Sequence, residues 1–314
     1  MDKSLDIITI GESLIELSCD DNLSSTECFY KYYGGDTLVT AVTARRLGGK
    51  VGFITKVGDD AFKDYLIECW EKEGLDISHV KIAEEQNGVY FITKPGVEGK
   101  ELVYYRKKIA QSKFSVSDVS EEYLSSARVL YTSGITQSIS LSAKEAVSLA
   151  YSIARKNGVI TAYDPNYSAT IHTPETIKEN FNSVVSDVDI MFMSTKNDTV
   201  CILDLDSVEG IIKYLWDMGV STVVLKSGKD GGYYTGYNGE INFTEFYTKE
   251  VVDTTCSGDC FNGAFLYGIT HGYTPFQSSK LASITAGLQA KGMGAVKSVP
   301  YAEDVFPLLR EVKP

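Results

Sequence analysis

Asp259 is the residue in this chain best placed to do chemistry. It stands in VVDTTCSGDCFNGAFLYG, residues 251–268, where VVDTT reads as the end of a strand and CSG as a small-residue turn. An apolar helix pattern carrying Phe261, Ala264, Phe265 and Leu266 follows. A helix start offers unpaired backbone N–H groups and positive partial charge. Small residues let an anion come close to that backbone. A carboxylate beside such a hole can take the proton of a hydroxyl that is receiving a phosphoryl group. The alternative is that Asp259 only caps the helix, since Asp is a favoured N-cap.

Other stretches could contribute groups. Gly34-Gly35-Asp36-Thr37 opens the helix pattern LVTAVTARRLGG, with Arg45 and Arg46 in the last turn and Gly48-Gly49 as its end. A glycine pair at a helix start lets a ligand meet the backbone, or it is a simple turn. NGVYFITKPG (87–96) and KELVYYRKK (100–108) alternate around Pro95–Gly99 as a hairpin. Its Tyr90, Tyr104, Tyr105 and Arg106 either face a polar ligand or form a solvated face with a cationic edge.

The elements that must hold these groups follow a regular rhythm. DIITIG (6–11) and VGFITKVG (51–58) read as strands, residues 12–33 as mixed and capable of exposed strands, and Asp59-Asp60 as the cap of a helix reaching about Gly74. From 128 onward strands at 128–134, 159–166, 189–195 and 221–228 alternate with helices at 141–157, 174–185 and 206–218. That pattern builds a mostly parallel sheet covered by helices, whose ligands gather beyond the strands' C-terminal ends. Asp164, Asn166, Ser194, Lys226 and Ser227 stand at such ends. Asn238-Gly239 marks a second hairpin, and Pro275 starts a helix running to about Lys291.

Composition bounds the partners. The chain has 314 residues, 43% hydrophobic and 23% charged, as in soluble globular proteins. A net charge of −12 argues against nucleic acid or an anionic membrane as partner. No apolar run reaches the ~20 residues of a membrane span. The opening MDKSLDIITIGE enters a strand at once, so a cytoplasmic protein with free thiols is expected. Six cysteines form no CxxC pair and three histidines are scattered, which argues against zinc and against histidine chemistry. Cys256 and Cys260 lie at the helix start, where a lowered thiol pKa would favour oxidation; otherwise they are packing residues. No GxxxxGK[ST] loop occurs, which disfavours a P-loop kinase.

DTTCSGD (253–259) resembles the DTxGAGD signature of the ribokinase-like (PfkB) carbohydrate kinases. GGDTLVTAVTARRLGGKVGFITKVGDDAF (34–62) resembles that family's N-terminal glycine signature. GESLIELS, GGDTL, YYR, SGI and DPNY resemble the 2-keto-3-deoxygluconate kinases among them. The resemblance implies one kinase domain over 1–314. Its fold would be an α/β/α three-layer domain with a mostly parallel sheet and a small β-sheet lid, built from about 12–33 and 87–110.

The resemblance also implies roles. Asp259 would be the base, and the backbone of Cys256, Ser257 and Gly258 the anion hole. Gly35, Asp36, Tyr90, Tyr104 and Arg106 would join Asp259 in holding the sugar, Arg106 facing a carboxylate. Ser194, Lys226, Ser227, Gly228, Gly231 and Ser283 would hold ATP. Magnesium would bridge the phosphates, with a monovalent cation as a further cofactor and a homo-oligomer, such as a dimer through the lid, as the assembly. The implied reaction is phosphorylation of 2-keto-3-deoxygluconate at its 6-hydroxyl. Alternatives are a kinase of fructose, ribose or a nucleoside, or a non-catalytic sugar binder on this fold. The chain departs from the family pattern at Cys256, at Val39 where the family has Asn, at Ser168 where an Arg follows NY, and at Asn197 where the family's NxxE has its acid.

Overall fold

The computed structural model describes residues 3–93 and 101–311. Its strands are β1 (Leu5–Ile10), β2 (Leu14–Cys19), β3 (Tyr30–Gly34), β4 (Val51–Ile54), β5 (Lys56–Gly58), β6 (Lys81–Ala83), β7 (Gly88–Thr93), β8 (Leu102–Tyr105), β9 (Ala127–Ser133), β10 (Ile160–Asp164), β11 (Ile190–Ser194), β12 (Thr222–Ser227), β13 (Gly232–Tyr237) and β14 (Glu240–Glu245). Its helices are α1 (Asp36–Arg46), α2 (Lys63–Glu73), α3 (Glu121–Ser125), α4 (Gly134–Ser138), α5 (Leu141–Lys156), α6 (Pro174–Asn182), α7 (Asp198–Leu203), α8 (Val208–Asp217), α9 (Ser257–Thr270), α10 (Pro275–Ala290) and α11 (Ala302–Glu311).

Among the described residues, eight strands form the large sheet in the order β14-β13-β12-β11-β10-β9-β1-β4. The six from β12 to β4 are parallel, and the Asn238-Gly239 hairpin adds β13 and β14 antiparallel at one edge. The central strands read as continuous apolar runs because both faces are buried. Ile7, Val129, Ile190 and Phe192 pack towards α1, α2, α9, α10 and α11. Their chain neighbours Ile8, Leu130, Met191 and Met193 pack towards α3, α5, α6, α7 and α8. This two-residue period gives the three layers that the rhythm predicted. No described helix is long and apolar enough to cross a membrane.

The hairpin that breaks the rhythm belongs to a second sheet, β3-β2-β7-β8. Its turn, read at Pro95–Gly99, lies outside the described residues. β2 is largely buried, whereas β3 is exposed at Tyr30 and Lys31, so the exposed strands expected within 12–33 are only half realised.

Several local readings need correction. VGFITKVG is not one strand. The last link between β1 and β4 runs from Gly11 N–H to Ile54 O, 3.2 Å, after which β1 turns away to the small sheet. Without that partner the chain pairs anew, β5 with β6. Asp60 does not cap a helix; its carboxylate accepts from Asn87 and Phe62, and α2 starts only at Lys63. The 174–185 helix stops at Asn182. VVDTT is not a strand; Val252 and Asp253 N–H both donate to Ala290 O at the end of α10.

Candidate active site

Two helix N-termini meet where the chain passes between the sheets. The chain leaves the large sheet at Gly11–Ser13 and returns at Gly34–Gly35 into α1. Gly35 has φ +140°, and a Cβ there would run into the Glu12 carbonyl, so only glycine fits. α9 lies against α1 because Gly263 faces the Thr40 carbonyl with no Cβ between them. Thr40 Oγ1 then donates to Asp259 O at 3.1 Å. Asp36 is thereby the first residue of α1 and Asp259 the third of α9, side by side.

Cys256 precedes α9 in the left-handed region, φ 60° and ψ 13°, where an L-residue costs roughly 1–2 kcal/mol relative to glycine. Ser257 N–H donates to Thr254 O, 3.1 Å, so it is not open to an anion. Gly258 and Asp259 N–H take no acceptor among the described residues, so the open first-turn donors lie one residue along from the Cys256–Gly258 set read from the sequence. Gln289 of α10 braces the loop: Ser257 Oγ donates to its Oε1 at 2.6 Å, and its Nε2 donates to Thr255 O at 2.9 Å. The thiol reading also needs correction. Burial, then Asp259, Glu16 and Asp36, push Cys256 up, and burial takes Cys260 up to about 12. Nearby carboxylates outweigh the helix end, so neither thiol is activated.

A cavity of about 200 Å³ opens before this loop. Glu12, Gly35, Asp36, Tyr90, Tyr104, Arg106, Asn166, Ser168, Cys256 and Asp259 all line it. Asn166, at φ 47°, donates through Nδ2 to Asp259 Oδ1 (3.2 Å) and Asp36 Oδ2 (3.4 Å). Burial, then Asp36, raises Asp259 to about 8, while Lys226 opposes. Burial likewise raises Asp36. A carboxyl poised near neutrality beside an N–H hole can accept a hydroxyl proton.

Arg106 is not free to face a ligand alone. Its Nη2 lies 2.7 Å from Glu12 Oε2, in the segment between β1 and β2. That oxygen has no aligned hydrogen bond, so the contact is an ion pair. Burial raises Glu12 to about 7 against the pull of Arg106. Tyr90 Oη donates to Glu16, fixing the ring over the cavity. Tyr105 points away, 66% exposed, and packs on Phe91. Val39 is buried in α1 and cannot reach the cavity.

Behind Asp259 lies a buried charge cluster. Lys226 Nζ binds Asp164, which also accepts from Asn262 Nδ2 at 2.7 Å. Asp198 accepts from Ser194 N–H (2.5 Å) and Tyr167 N–H (2.7 Å) and, through burial and Asp164, is raised to about 7. Asp198, next to Asn197, thus brings a buried carboxyl to this cluster. Gly258 lies against Lys226, its added Cβ 3.4 Å from Nζ. Ser227 Oγ donates to Asp230 in the turn that contains Gly228 and leads to Gly231, φ 73°. Ser283 stands apart: its hydroxyl donates to Glu245 O and accepts from Tyr247 N–H, so it pins the chain after β14.

Residues 4–302 match the family model described as pfkB family carbohydrate kinase. The chain belongs to this family. Among its pfkB relatives is the 5-dehydro-2-deoxygluconokinase of Clostridium perfringens, 28% identical over 327 residues, covering 99% of this chain and 94% of that protein. A putative ribokinase II from E. coli, solved with ATP and Mg²⁺, has TM-score 0.90 at 23% identity and covers 98% of this chain and 100% of that one. A 2-dehydro-3-deoxygluconokinase from Thermotoga maritima has TM-score 0.87 at 23% identity, covering 98% and 99%. The pfkB chain described here is therefore a sugar kinase with a ribokinase-like fold.

The sequence reading named Gly35, Asp36, Tyr90, Tyr104, Arg106, Cys256 and Asp259, all of which line this cavity. It did not select Glu12, Glu16, Asn262, Asp198 or Gln289 as site residues. Asn262 carried a signal, since it lies three residues after Asp259 on the same helix face. Glu12 and Gln289 carried none, because chain crossing and helix packing alone bring them in.

Proposed function

We propose that the chain transfers the γ-phosphoryl group of Mg-ATP to a hydroxyl of a single sugar or sugar acid, with Asp259 as base. The observation that carries this reading is the meeting of Asp259 with open first-turn N–H groups at one end of a sugar-sized cavity. The acceptor hydroxyl loses its proton to Asp259, its oxygen bonds to the γ-phosphorus, and the bond from that phosphorus to ADP breaks. Gly258 and Asp259 N–H groups face the charge on the transferring group. Lys226 binds phosphate oxygens, aided by the Ser227–Gly231 turn and by Ser194.

The donor set fits magnesium, which keeps several waters and takes only one or two carboxylates besides phosphate oxygens. Asp164 and Asp198 would hold it, and when bound it would offset phosphate charge. No group of three or more His, Cys, Asp or Glu side chains among the described residues forms a ready metal cage. A monovalent cation remains part of the proposal through family resemblance alone.

The small sheet acts as the lid of this cavity through Tyr90, Tyr104 and Arg106. Its outer surface exposes Phe29, Val103 and Tyr105, a patch suited to a second copy of the chain. The working place is the cytoplasm. Keto-deoxygluconates are the acceptors suggested by resemblance and by the relatives' names. ADP release from Mg-ATP, measured with 2-keto-3-deoxygluconate, gluconate, fructose, ribose and nucleosides, tests the reading. Turnover with one or more sugars is expected. Sugar binding without ADP release from any of them would instead favour a binding protein on this fold.

A further inference from the structure

We infer that Glu12 sets the charge of the acceptor, making this pocket select an uncharged polyhydroxy sugar over a sugar acid. The inference rests on the sugar-kinase reading and narrows it.

Arg106 is the one cation lining the cavity among the described residues, against the three carboxylates Glu12, Asp36 and Asp259. Its charge is already engaged, because Glu12 Oε2 sits 2.7 Å from its Nη2 and both side chains are largely buried, 3% and 12% exposed. A carboxylate entering here must share one guanidinium with Glu12, and beside the buried carboxyl groups of Asp36 and Asp259 it meets no other cation among the described residues. Like charges brought together in a desolvated site are strongly disfavoured.

Among the described residues the remaining lining offers no second cation. Ser168 lines the cavity, and Tyr90, Tyr104 and Asn166 are neutral. Lys226 is not among the lining residues and is held by Asp164. What the pocket does offer is a row of acceptors suited to hydroxyl donors. Asp36 Oδ1 is buried without an aligned hydrogen bond, and Glu12 Oε2 has the Arg106 ion pair but no aligned hydrogen bond. An orphaned buried acceptor is costly until a donor arrives. The hydroxyls of a neutral sugar supply such donors and bring no charge.

Glu12 enters this position through the backbone. It lies in the crossing between the sheets, and its carbonyl is packed against Gly35. Neither group is required to accept a proton or hold phosphate, so charge selection can be changed without touching Asp259.

The test compares D-fructose with 2-keto-3-deoxygluconate and gluconate. ADP release gives kcat/KM, and calorimetry gives binding to the same protein. Wild type should prefer fructose by about 10²-fold, in line with the cost of like-charge contact. In Glu12→Gln, which keeps size and hydrogen-bonding atoms, Arg106 is released and the acid-to-fructose ratio should rise at least tenfold. Glu12→Asp, which retains the charge, should keep the wild-type preference. Wild type favouring an acid in both turnover and binding overturns the inference, as does an unchanged ratio in folded Glu12→Gln. Binding of fructose without ADP release would overturn the kinase reading while upholding the charge rule. Binding of none of the three would overturn the charge rule.

Discussion

Asn166 donates its side-chain amide to Asp259 at 3.2 Å from a left-handed backbone position just beyond the end of β10. The same amide reaches Asp36, so one neutral donor separates two buried carboxylates that would otherwise repel. Hydrogen bonding to the charged form lowers a carboxyl pKa. Asn166→Gly keeps the left-handed backbone but removes the amide. The acid limb of kcat/KM against pH should move up by roughly one unit, and turnover at pH 7 should fall about tenfold. An unmoved limb would show that Asn166 does not tune the base.

Asp259 should trade stability for function. Its carboxyl stands at about 8 in the folded chain against an ordinary value of 3.8. A raised folded-state value means that the folded chain holds a proton the unfolded chain has released. Stability from this group is full below 3.8, falls between 3.8 and 8, and is lost above 8. Asp259→Asn should therefore raise Tm by roughly 2–4 °C, with the gain growing from pH 5 to pH 8.5. Thermal melts across that range check both sign and slope.

Cys256 should tolerate only residues that accept its backbone. Cys256→Gly relieves the left-handed strain but adds chain entropy, so stability should stay within about 1 kcal/mol and turnover should persist. Cys256→Val puts a β-branched residue in that region and should cost about 2 kcal/mol or more, with loss of turnover as the hole shifts. Denaturant titration beside ADP release separates the two.

Lys226 neutralises Asp164 and Asp198, both buried. Lys226→Met leaves those carboxyls uncompensated. Breaking a buried pair from one side costs about 3–5 kcal/mol, and ATP affinity should also drop at least tenfold. Retained ATP affinity would remove Lys226 from the nucleotide site.

The layers of the fold were legible because buried strands and amphipathic helices write their period into the chain. The DTTCSGD loop was legible because small residues before a helix have few other uses. VVDTT was misread because β-branched composition signals a strand only where a sheet edge awaits it. Glu12 went unselected because its meeting with Arg106 spans the crossing between two sheets, which no local pattern records. The fate of Ser257 N–H, taken by Thr254, depended on loop geometry rather than residue type.

The central claim is that Asp259 takes the acceptor's proton. The most direct test measures ADP release for wild type and Asp259→Asn with the sugar that wild type uses, beside calorimetric binding of that sugar and of Mg-ATP. Turnover should fall by about 10²–10⁴ while both affinities stay within a few-fold. Wild-type turnover in a folded Asp259→Asn chain would contradict the account.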